Sequence, residues 1–266
     1  MLVTGGSGLV GRAVVPHLLE HGYQVRGFDR VAPKYVLEDF HIGDQTIKSD
    51  VDLAARGCDM VVHLGAIPWN TPPFGRLMDI NLCGTFGVLG AALANKMTHV
   101  VCASSVRAAG LLSVPPTPLE ALPYHETMLA TPSDFYGMGK LMSEQLCRGY
   151  WRRCPEMSIR CIRPGRIWHG DTPLYAPFLD SMVHQDDVAD AVRRCLESEP
   201  GYGVYHISAA HRYTETGERM TPDEILKELV DNGADPAIAN HRYLSGEMGV
   251  YDIAAAERDL GWSTRW

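Results

Sequence analysis

No CxxC pair occurs among the seven cysteines, at positions 58, 83, 102, 147, 154, 161 and 195. That excludes the common zinc-ribbon and thioredoxin-type spacings, and the odd, scattered set excludes a disulfide framework. These cysteines read as small buried hydrophobes in a reducing, cytoplasmic compartment. The eleven histidines include no HExxH and no tight cluster with cysteine or carboxylate, so no metal site is expected. Positive charge is also short: 24 Lys and Arg stand against 32 Asp and Glu, a net charge of −8. A broad nucleic-acid or anionic-membrane surface is excluded on that balance. No apolar run approaches the ~18 residues a membrane span needs, and the chain opens on a strand and loop, so no signal peptide is expected. Ser105 lacks a Gly-x-Ser-x-Gly elbow, which argues against a hydrolase triad.

What is present is the composition of an ordinary globular protein, 266 residues with 45% hydrophobic and 21% charged. Short apolar runs at Met1–Val3, Gln24–Asp29, Met60–Leu64, His99–Ala103 and Ser158–Ile162 alternate with helix-length segments. That alternation predicts βαβ units and a doubly wound parallel sheet, an α/β fold of the Rossmann type. Val204–Ser208 reads as a further strand, and Asp187–Glu199 and Thr221–Asp231 as helices, the latter capped by Thr221 with Pro222 at its first position. Val114–Pro123 reads as a proline-rich loop. Residues 1–163 form the expected nucleotide-binding domain. Residues 164–266 form a small C-terminal substrate-binding portion, with some segments returning to the first domain.

Thr4-Gly-Gly-Ser-Gly-Leu-Val-Gly11 follows the first strand and opens a helix. Glycines there let the backbone approach a pyrophosphate, whose charge the helix N-terminus favours. Gly5, Gly8, Leu9, Val10 and Gly11 are therefore candidate cofactor residues. Pro16 should kink that helix or end it early. Asp29 closes the second strand, where a carboxylate binds the adenosine ribose and repels a 2′-phosphate. NAD is expected over NADP, with neighbouring Arg30 softening the preference.

Tyr136 and Lys140 lie four residues apart, on one face of a helix expected to start at Thr131-Pro132 with Thr131 as its cap. A free tyrosine, with a pKa near ~10, is too weakly acidic to serve as a base at neutral pH. A nearby ammonium and a nicotinamide ring favour its phenolate. Ser105, at the end of a strand, would steady the reacting oxygen. Ser105, Tyr136 and Lys140 are the expected catalytic set. Gly137 and Gly139 each weaken this helix by up to ~1 kcal/mol and imply a close approach.

With this loop, Asp29, Asp44 in Ile42-Gly-Asp44, His63-Leu-Gly-Ala66, Asn81-Leu-Cys-Gly-Thr85, Ser104-Ser105 and Tyr136-xxx-Lys140, the chain resembles the extended short-chain dehydrogenase/reductases. Within them it resembles the NAD-dependent epimerase/dehydratase family. Arg163-Pro-Gly165, Val183-His-Gln-Asp-Asp-Val-Ala189 and Asp259-Leu-Gly-Trp262 extend the resemblance over the whole chain. It implies that Asp44 and Gln45 approach the adenine and that Leu64, Gly65, Ala66 and Pro164 lie along the cofactor. It also implies that Asn81 holds the active-site helix and its proton path, and that Lys140 holds the nicotinamide ribose. The Asp residues of His184-Gln-Asp-Asp187 would cap a helix. A homodimer through roughly Met78–Asn95 and Pro132–Arg153 is a further implication.

The resemblance also points to differences. Val106-Arg107-Ala108 lacks the Asp-Glu pair of dehydratases, which leaves a sugar epimerase as the first expectation and a net sugar or uronate-type dehydrogenase or reductase as the alternative. A non-catalytic NAD(P)-binding protein is a third. Only twelve residues separate Gly170 from Val183, an interval as short as that of uronate dehydrogenases, whose Asn-His pair after the serine is absent here. This favours a small sugar-like substrate held by cationic side chains such as Arg107 and Arg166.

Overall fold

The computed structural model describes residues 1–70, 73–111, 123–169, 182–210, 218, 220–231 and 249–265. The proline-rich loop, apart from Pro123, and residues 170–181 lie outside them. Strands are β1 Leu2–Thr4, β2 Arg26–Asp29, β3 Phe40–Ile42, β4 Met60–His63, β5 His99–Ala103, β6 Ser158–Pro164, β7 Arg166–Trp168, β8 Met182–His184 and β9 Tyr202–Ile207. Helices are α1 Gly11–Glu20, α2 Lys48–Ala55, α3 Phe74–Met78, α4 Gly84–Ala94, α5 Phe135–Arg153, α6 Gln185–Glu197, α7 Pro222–Asp231 and α8 Ala254–Leu260.

Among the described residues a seven-stranded sheet runs β3-β2-β1-β4-β5-β6-β9, every pair parallel. Its central strands are apolar on both faces because helices cover both. Val3, Val62, Val101 and Ile162 pack with Val14, Val15 and Leu18 of α1 and with Val188, Val192 and Cys195 of α6. One residue earlier in each of the first three strands, Leu2, Val61 and Val100 face α2, α4 and α5 through Val51, Val88, Leu89 and Cys147. The strand order reverses between β1 and β4, so the loops leaving their C-terminal ends splay apart. That crevice is where open α/β sheets bind ligands.

The expected split at 163/164 falls on the last residues of β6, and α6 and β9 return to the sheet beyond it. A smaller core of Val106, Leu111, Tyr124, Ile225, Val250 and Tyr251 lies apart. The tail is tied down by fully buried Trp262, whose indole donates to the Asp187 carbonyl at 2.9 Å.

Four expectations are corrected. Thr131 and Pro132 precede α5, which starts at Phe135 with Asp134 as its cap, accepting from Gly137 N at 2.9 Å. The cap of α6 is the His184 ring, while Asp187 accepts from Thr264 and the Arg265 amide. Pro16 sits within α1 without ending it. Residues Phe74–Ala94 form one helix of α3, a π-helical turn and α4, long and apolar enough to cross a membrane, but half of that stretch is buried in the fold. Strand β3, with Phe40 and His41 partly buried and Ile42 exposed, was not anticipated. Thr221 does cap α7, exchanging hydrogen bonds with Glu224 in a capping box.

Candidate active site

β1 ends at Thr4 and the chain turns sharply into α1. Gly5 has φ +70°, and a Cβ on it would stand 2.6 Å from the Gly65 nitrogen. Only glycine fits, and the turn closes with Gly8 N donating to Gly5 O at 3.0 Å. The Asp29 carboxylate sits on the lip of this turn, accepting from Ser7 N at 3.1 Å and Arg30 N at 2.7 Å. Arg30 turns away to Asp44, 3.5 Å distant. Hydrogen bonds from Thr46 hold Asp44 below the usual carboxylate range, and Arg30 adds to the effect. The cation that was expected to soften the choice of cofactor thus has its own acid.

The floor beneath is a chain of neutral hydrogen bonds. Thr85 donates to Asn81 O at 2.6 Å, leaving its oxygen to accept from His63 Nε2 at 3.0 Å, and His63 Nδ1 pairs with Thr4 Oγ1 at 2.6 Å. Burial pushes His63 down to about 4, so the ring is neutral. Asn81 clamps the loop after β4 by accepting from Ile67 N at 2.7 Å and donating to Ile67 O at 2.9 Å. Gln45 stitches the same loop to the π-helical turn, donating to Gly65 O at 3.0 Å and Ile80 O at 2.8 Å.

Ser105 follows β5 in extended backbone, and its Oγ accepts from Arg107 N at 3.2 Å. Across from it, α5 carries Tyr136 and Lys140, both buried. Lys140 Nζ donates to Ala103 O at 2.7 Å and stands 5.8 Å from the Tyr136 ring centroid. Behind them Glu144 takes two hydrogen bonds from Arg163, at 2.8 and 2.7 Å, and one from Ser104. This buried pair links the helix of Tyr136 to the strand leading into Pro164. Sequence reasoning passed over Glu144, although it continues the four-residue step of 136 and 140.

One cavity of about 860 Å³ gathers these groups. Gly5, Gly8, Leu9, Val10, Asp29, Arg30, Asp44, Leu64, Gly65, Ala66, Ser105, Arg107, Tyr136, Lys140, Pro164 and Arg166 all line it. Two expected residues do not. Gly11 is buried against the Gly5 and Gly6 carbonyls, and Asn81 acts through Ile67. Gln45, expected near the adenine, lines it as well, and Ser7, Ile67 and Ser104 line it in addition.

The cleft fits a dinucleotide: a glycine turn with no room for side chains, a helix N-terminus above it, and a fixed carboxylate at the end of β2. Comparison with known proteins agrees. Residues 1–168 match the NAD dependent epimerase/dehydratase family. Over 98% of this chain and 91% of the relative, it is 32% identical to the fatty acid hydroxylase uhd1 of Mycosarcoma maydis. It is 26% identical to the uronate dehydrogenase of Pseudomonas syringae pv. tomato, over 78% of this chain and 74% of that one. The solved structure of MoeE5 in complex with UDP-glucuronic acid and NAD superposes with a TM-score of 0.74, at 20% identity, covering 100% of this chain and 93% of MoeE5. The chain belongs to the NAD-dependent epimerase/dehydratase family of enzymes, and its cleft suits that family's cofactor.

Proposed function

We propose that the protein oxidises a secondary hydroxyl of a sugar or sugar derivative and works as an epimerase. The observation that carries the chemistry is that Ser105, Tyr136 and Lys140 all line the one cofactor cleft. NAD⁺, when bound, supplies the hydride acceptor. Tyr136 takes the hydroxyl proton as the carbon loses its hydride and C–O becomes C=O. Lys140 is anchored on the Ala103 carbonyl with its nitrogen 5.8 Å from the centre of the phenol ring. Ser105 donates to the substrate oxygen and steadies its developing charge. Return of the hydride to the opposite face of the carbon, with the proton going back from Tyr136 to the oxygen, completes an epimerisation.

A second reading, net dehydrogenation with release of the oxidised product, is favoured by the likeness to a uronate dehydrogenase. Purified protein is offered NAD⁺ with a panel of sugars, uronates and sugar nucleotides. Epimers interconverting without net NADH support the first reading; steady NADH growth overturns it in favour of the second. No reaction of either kind overturns both and leaves a protein that binds NAD without turnover.

The proposal includes a homodimer through α4 and α5, supported by the exposure of Phe86 and Met142 on those helices. It also includes a reducing, cytoplasmic setting, supported by seven cysteines without disulfides.

A further inference from the structure

Arg107 lies on the helical turn Val106–Ala109, two residues past Ser105, and lines the same cavity. Its Nη2 is 3.4 Å from Asp134 Oδ2. Its Nε is closed off from solvent and has no acceptor. A guanidinium carries five donors in a planar fork, and a buried donor left unpaired costs free energy. Asp134 cannot swing to relieve it, because Oδ1 caps the first turn of α5 at Gly137. The backbone is fixed as well, since the Arg107 carbonyl packs against Gly137. Arg107 thus has a fixed backbone and spare donors on a side chain that is 34% exposed and lines the cavity of the reacting groups, where a small rotation turns the fork to a ligand.

We propose that this fork seats the carboxylate of the substrate, which makes the substrate a sugar acid. Planar, two-point pairing is what a guanidinium offers a carboxylate. Arg107 and Ser105 line the same cavity, so the anion is seated in the cleft that holds the reacting oxygen. For the reacting end of the substrate this rests on the hydride-transfer reading above.

The test uses NAD-loaded protein carrying Tyr136→Phe, so that binding is measured without turnover. Titration calorimetry compares galacturonate with galactose, glucuronate with glucose, and UDP-glucose. At least one uronate is expected to bind about tenfold or more tighter than its neutral counterpart. Adding Arg107→Gln should erase that preference, and Arg107→Lys should recover part of it. Equal binding of acid and neutral sugar, tighter binding of UDP-glucose, no binding of any uronate, or a preference that survives Arg107→Gln overturns the proposal. If Arg107→Gln fails to fold, Arg107→Lys carries the test, with weakened uronate binding and unchanged neutral-sugar binding expected. A uronate that binds through Arg107 yet transfers no hydride in the protein with Tyr136 intact overturns the hydride-transfer reading and leaves the carboxylate seat standing.

Discussion

The carbonyl of Arg107 stands 2.6 Å from the point that a Cβ on Gly137 would occupy. Gly137 therefore buys contact between the turn after Ser105 and the helix of Tyr136, at the expense of helix propensity. Gly137→Ala should destabilise the fold by about 1–3 kcal/mol and lower turnover, because a backbone carbonyl must move. Gly139 is different, its nearest neighbour being Met78 Sδ at 3.6 Å. Gly139→Ala should stabilise by up to about 1 kcal/mol. Chemical denaturation of the two variants checks the pair, and equal effects would contradict this account.

Cofactor choice rests on Asp29, with Arg30 held by Asp44. Asp29→Ser should raise the NADP-to-NAD preference, and adding Asp44→Asn should raise it further by releasing Arg30, together about tenfold or more. Binding titrations of both cofactors check this. An Asp44→Asn change without effect in the Asp29→Ser background would show that Arg30 is not the reserve cation.

His63 takes up a proton only near pH 4 in the folded chain, against 6.5 when unfolded. Below pH 6.5 the unfolded chain binds a proton that the native chain refuses. The stability this contributes is complete above about 6.5 and is lost as pH falls toward about 4, amounting to about 3 kcal/mol. Urea denaturation across that range should show a shallower pH slope in His63→Gln than in the parent. Parallel slopes would sink the buried neutral imidazole.

Much of this was legible in the residues. The glycine turn, Asp29 and the Ser105, Tyr136, Lys140 set are local patterns, and the cavity gathers them as expected. The start of α5 was misread because Thr131-Pro132 and Asp134 are both good helix openers. The contact that favours Asp134 is tertiary, its ion pair with Arg107. Glu144 and Arg163 were invisible as a pair because nineteen residues separate them and only the sheet brings them together. Strand β3 was missed because it is short and its residues are half exposed at a sheet edge.

Phe86 is 56% exposed and Met142 45%, on the helices expected to pair two copies. Sedimentation should find a dimer, and Phe86→Asp should give monomers that still bind NAD. A monomeric parent protein would remove the dimer from the account.

The most direct measurement is single-turnover hydride transfer in Tyr136→Phe, on a substrate found active in the panel. Loss of the proton acceptor should slow transfer by about 100-fold or more while NAD affinity stays unchanged. A Tyr136→Phe protein that keeps most of the parent rate would contradict the assignment of Tyr136 as the base.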